Sequence, residues 1–140
     1  ILSTRDDPPS YEFSKRLVKA VNSVQPTANA RAARAKNLKR AYELLRSNQM
    51  QFAVLSKANI RSMRLAVDSF EGLDKLELKT VYVYGDLEFV VHPDLSDRVA
   101  SIVTHAMIET RQNFENPISL EDLKSLKTLH PGTKKVLDGI

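Results

Sequence analysis

The stretch Lys36-Asn37-Leu38-Lys39-Arg40-Ala41-Tyr42-Glu43-Leu44-Leu45-Arg46-Ser47-Asn48-Gln49-Met50-Gln51-Phe52-Ala53-Val54-Leu55-Ser56 decides the fold. From Lys36 to Ser47, the residues Leu38, Ala41, Tyr42 and Leu45 recur at intervals of three and four, which places them on one face of an amphipathic helix. Asn48 is a natural stop, because asparagine tolerates the left-handed backbone that ends many helices. Gln51 to Ser56 then carries Phe52-Ala53-Val54-Leu55, a short apolar run between polar residues that reads as a buried strand. A helix, a stop and a buried strand in close succession form the repeating element of an α/β fold.

The flanking sequence extends this alternation. Upstream, Ile1 to Thr4 reads as a first strand, and Arg5-Asp6-Asp7-Pro8-Pro9 as a loop. Ser10 is the expected N-cap of a helix to Val24, with Phe13, Leu17, Val21 and Val24 on one face. Pro26 interrupts, and Thr27 to Ala33 is expected to form a small-residue strand. Downstream, a helix is expected over Ala58 to Phe70. Leu78 to Tyr84 and Leu87 to His92, rich in Val, Tyr and Phe, are the clearest strands, joined at Gly85-Asp86. Ser96 caps a helix to Asn113, with Val99, Ile102, Val103, Ala106 and Met107 on one stripe. Ser119-Leu120-Glu121-Asp122 starts a short helix, and another follows Pro131-Gly132. The expected architecture is one α/β domain over residues 1–140, with a mixed, mostly parallel sheet flanked by helices.

Composition agrees with one domain. The chain has 140 residues, 42% apolar and 27% charged, enough to bury a core. Without a cysteine it can build no disulfide, thiolate metal site or cysteine nucleophile. No apolar run approaches the roughly 18–20 residues of a membrane-spanning helix, so a soluble chain is expected. Ile1 in place of an initiator methionine suggests removal of an upstream segment, such as a secretory signal. Residues 1–70 carry 13 Lys and Arg against 5 Asp and Glu, whereas residues 71–140 carry 8 against 12. Arg31, Arg34, Lys36, Lys39, Arg40 and Arg46 supply most of the excess, a cluster of the kind that attracts nucleic acid, anionic lipid, an acidic protein or a small anion.

Catalytic signals are weak. His92, His105 and His130 lack the spacing of a metal site, and the adjacent carboxylates Asp6-Asp7 and Glu121-Asp122 diverge rather than form an acid/base dyad. No nucleophile elbow or glycine-rich phosphate loop occurs, the four glycines standing at 72, 85, 132 and 139. The expectation is a protein that is not an enzyme and that takes no cofactor and no metal. Nucleic acid is not an expected partner either, since Tyr42 alone interrupts the basic stretch as an aromatic and is spaced for the core.

Three segments resemble the solute-binding proteins of TAXI-type TRAP transporters, within the periplasmic binding protein superfamily. They are Leu44 to Leu55, a helix stop before a buried strand; Val81-Tyr82-Val83-Tyr84 leading to Leu87-Glu88-Phe89-Val90-Val91; and His130-Pro131-Gly132 after a long helix. Members of that family have two lobes. In this chain His92-Pro93-Asp94-Leu95 passes directly into the returning helix, so the resemblance implies a single lobe, with residues 1–95 as its main part and 96–140 as the returning helices. It also implies a periplasmic location.

Two functions follow as expectations. The first is an interaction module whose protein partner, an acidic one, docks on Arg31, Arg34, Lys36, Lys39 and Arg40. The second is capture of a small organic anion, a dicarboxylate or amino acid, for a TRAP-type transporter. In that case Ser3, Thr4, Ser10 and Tyr11 would supply hydroxyls and helix-start donors, Arg31 or Arg34 the charge, and a homodimer could restore a cleft. The interaction module is preferred, because Asp6 and Asp7 would repel an anion and the prolines remove donors.

Overall fold

The computed structural model describes residues 1–140. The chain runs β1 (Leu2–Thr4), α1 (Pro8–Val24), β2 (Ala33–Ala35), α2 (Leu38–Arg46), β3 (Phe52–Ser56), α3 (Lys57–Leu65), β4 (Lys79–Tyr84), β5 (Leu87–Val91), α4 (Asp97–Thr110), α5 (Leu120–Lys124) and α6 (Pro131–Asp138). Five strands form one sheet in the order β2-β1-β3-β5-β4. The first three are parallel, and the β4–β5 hairpin adds antiparallel to β3. This is the expected α/β architecture, a mixed sheet flanked by helices.

Alternating side chains divide the sheet between two cores. Val54, Phe89 and Val91 face a larger core with Leu17 and Val21 of α1, Ala106 and Met107 of α4, Leu123 of α5 and Leu137 of α6. Ala53, Leu55 and Val90 face a smaller one with Ala41, Tyr42 and Leu45 of α2 and Ile60 and Met63 of α3. Period-two burial on the strands and helical stripes on both sides are what a two-faced sheet requires.

The two sheet edges differ. Beside β4, Thr80 N–H donates to Thr128 O at 2.8 Å, His130 N–H donates to Thr80 O at 3.1 Å, and Ile118 N–H donates to Val83 O at 2.9 Å. Below this edge Arg64 pairs with the buried Glu88 at 2.7 Å, and Thr80 Oγ1 donates to the same carboxylate at 2.5 Å. At the other edge β2 pairs with β1 alone and leaves its outer side open.

Local expectations require three corrections. Residues 27–33 do not form a strand; Pro26–Ala28 is a 3₁₀ turn and Asn29 has a φ of 47°. Asn22 on α1 holds this turn by accepting from Ala30 N–H and donating to Ala30 O, so the strand is delayed to Ala33. The helix expected to reach Phe70 stops at Leu65, where Ala66 turns left-handed with a φ of 55°. Ser10 is not the cap of α1. Asp7 is, and Pro8 and Pro9 occupy the first turn, where a missing N–H costs nothing.

Other turn chemistry follows the residues. Ser96 and Ser119 cap α4 and α5 by accepting from Val99 N–H and Asp122 N–H. Asn48 is left-handed with a φ of 63°. In the hairpin only Gly85 has a positive φ, 58°, which is the type II′ arrangement with glycine at the first central position.

Candidate binding surfaces

In an open α/β sheet, ligands settle beyond the carboxyl ends of the strands, where successive connections leave in opposite directions. Here that point lies between β1 and β3, because α1 and α2 pack on opposite faces. Two carboxylates of the chain itself occupy it. Asp7, 2% exposed, accepts from Ser56 N–H and Ser56 Oγ at 2.5 Å each and from Asn59 Nδ2 at 3.2 Å. Asp6 Oδ2 accepts from Leu38 N–H at 2.9 Å. Neighbouring residues thus bind the starts of two different helices, α3 through Asp7 and α2 through Asp6, as an external anion would.

The hydroxyl residues expected at this place lie inside the fold. Ser3, Thr4 and Ser10 are each 0% exposed. Ser10 Oγ donates to Asp7 O at 2.8 Å, Thr4 Oγ1 accepts from Asp6 N–H at 3.4 Å, and Ser3 Oγ accepts from Ser14 at 3.4 Å. Thr4 and Ser10 hold the loop, Ser3 ties β1 to α1, and none presents a surface to a ligand. Sequence reasoning missed the capping by Asp6 and Asp7, although aspartate before two prolines is itself a helix-start signal.

The basic residues separate into three groups. Arg34 and Lys36 are exposed on and just after the open β2 strand. The Arg34 guanidinium lies 4.5 Å from the centre of the half-buried Tyr11 ring, which also carries the Lys15 ammonium at 4.4 Å. Lys39 and Arg40 continue this basic surface into the first turn of α2, which has no acidic residue of its own. Arg40 is offset by Glu43 at 3.3 Å, and Arg46 by Asp74 at 2.6 Å. The hydrogen bond with Asp74 is the main reason the Arg46 pKa is raised. Arg34, Lys36 and Lys39 have no carboxylate partner.

Arg31 stands elsewhere. It lines an apolar groove of about 470 Å³ at the amino ends of the strands, between the end of α1 and the start of α4. The histidines also have defined positions. His130 is 1% exposed, accepts from Gly132 N–H through Nδ1 at 3.0 Å and donates from Nε2 to Leu95 O at 2.7 Å, which is the neutral tautomer. His92 Nδ1 accepts from Asp94 N–H at 3.0 Å, while His105 is exposed on α4. No three His, Asp or Glu side chains form a group able to hold a metal ion. No helix is long and apolar enough to cross a membrane.

Fold and surface together define an α/β chain whose strand ends between β1 and β3 are capped internally by Asp6 and Asp7, with a basic open edge at β2. No family model, curated protein or solved structure matches the chain. The likeness to TAXI-type solute-binding proteins therefore rests on the three sequence segments alone.

Proposed function

We propose that the protein is a binding module, not an enzyme, that docks an acidic, extended segment of a partner protein along β2. The observation that carries this reading is the unpaired outer edge of β2 bordered by Arg34, Lys36 and Lys39, none with a carboxylate partner. An added strand would take backbone hydrogen bonds from the edge, and alternate acidic side chains would meet the cations. Two copies of β2 would set arginine and lysine against one another, which favours an acidic partner over a homodimer through this edge. The single-lobe likeness and the periplasmic setting belong to the same proposal.

Capture of a small organic anion for a TRAP-type transporter has less support, since Asp6 and Asp7 occupy the crevice and Ser3, Thr4 and Ser10 are buried. The remaining candidates, Tyr11, Arg34, Lys36, Lys39 and Arg40, favour the edge reading.

A capped peptide of alternating glutamate and valine tests the proposal by calorimetry. Binding is expected to weaken as salt is raised from about 50 to about 300 mM. It should fall at least roughly tenfold in the Arg34→Glu, Lys36→Glu double variant, equivalent to about 1.4 kcal/mol. N-methylation of alternate peptide amides should abolish it. No binding, or binding indifferent to salt and N-methylation, would overturn strand addition.

A further inference from the structure

The groove between α1 and α4 combines an apolar interior with free positive charge. Phe52 and Phe89, with ring centres 6.2 Å apart, lie in its wall with Val21, Val99, Ile102 and Val103. Val99 is 38% exposed and Ile102 half-buried, although both belong to the apolar stripe of α4. Arg31 and Arg98 line the same groove as exposed residues, and neither side chain has a hydrogen bond or ion pair within the chain. Arg98 also stands in the first turn of α4, where the positive end of the helix dipole opposes a cation. Asp97 beside it is engaged by Lys135 at 2.8 Å and does not line the groove.

We infer that this groove binds an amphipathic monocarboxylate, a medium-chain fatty acid, with its hydrocarbon body among Phe52, Phe89, Val99 and Ile102 and its carboxylate at Arg31 and Arg98. A volume of about 470 Å³ lies within the range of roughly 300–1,000 Å³ typical of small-molecule sites. A mostly apolar lining selects a hydrocarbon body, and two unpaired guanidiniums select one anionic head that can accept paired N–H donors. A carboxylate there would also relieve the opposition between Arg98 and the dipole of α4. The site is separate from β2 and from the crevice filled by Asp6 and Asp7.

Sodium decanoate, titrated calorimetrically at concentrations where it is monomeric, tests the inference. One saturable site per chain is expected, with 1-decanol and sodium hexanoate each at least roughly tenfold weaker. Arg98→Ala should weaken decanoate about tenfold without lowering the thermal midpoint. Val99→Glu, at an exposed position, should abolish binding by placing a like charge in the wall. Absence of saturable binding, equal binding of decanol, or undiminished binding by both variants would overturn it. Arg98 and Val99 lie apart from β2, so the outcome is independent of the peptide experiment.

Discussion

Asp7 shows how much one side chain can determine in this protein. As a buried carboxylate it is stable only because three donors converge on it, and those donors are the end of β3 and the first turn of α3. Asp7→Ala would leave the Ser56 N–H and hydroxyl without a partner. A loss of about 2–4 kcal/mol is expected, read as a lower urea midpoint with an unchanged slope. Asp7→Asn retains one acceptor and should lose about half as much. The bond from Asp6 to Leu38 N–H is exposed, and its removal should cost about 1 kcal/mol or less. A helix start close after Asp6-Asp7 was legible in the sequence, although its cap was set at Ser10 rather than at Asp7. That Asp7 binds a segment 49 residues away was not, because no local pattern records which loops the sheet brings together.

Between elements, the contact of α4 with α6 depends on Gly132. A Cβ there would stand 2.3 Å from Asp97 O and 2.9 Å from Asp97 Cα, both backbone atoms that cannot move aside alone. Gly132→Ala should therefore separate the two helices at a cost of about 2–3 kcal/mol, seen as a lower thermal midpoint and faster amide exchange across α6. His130 acts in the same place, capping α6 while its other ring nitrogen anchors Leu95. The segment His130-Pro131-Gly132 thus has a physical role in helix docking whatever its ancestry. Helices α2, α4 and α5 were readable from periodicity and capping residues. α3 was read too long, because Ala66 adopts a left-handed turn that local propensity disfavours, with Val67 N–H closing the helix end on Ser62 O.

At the scale of the whole molecule, the larger core responds to alkaline pH through its tyrosines. Tyr84 is buried beside Met107, and burial raises its phenol far above the ordinary value of 10.0, with Tyr82 adding to the effect. Burial also raises Tyr82, opposed by Arg111. The fold favours the neutral phenols, so their contribution is complete below about pH 10 and is lost as pH rises toward the folded-state values. The urea midpoint should fall between about pH 9 and about pH 11, and less steeply in Tyr84→Phe, which keeps the ring packing. Asp97 and Asp138 act at the other extreme. Hydrogen bonds from Lys135 and Lys134 lower their pKa values below 3.8, so their contribution is present above about pH 4 and lost on further acidification.

By itself, the sequence determined an α/β chain with alternating helices and strands, its apolar faces, the caps at Ser96 and Ser119, and a basic first half. Those properties follow from the order of residues within one or two turns of backbone. Only the tertiary structure decided which edge of the sheet is sealed, which carboxylates close the crevice, and which arginines remain unpaired. Each of these depends on groups distant in the chain meeting under the geometry of one sheet, where burial and charge are set by neighbours in space.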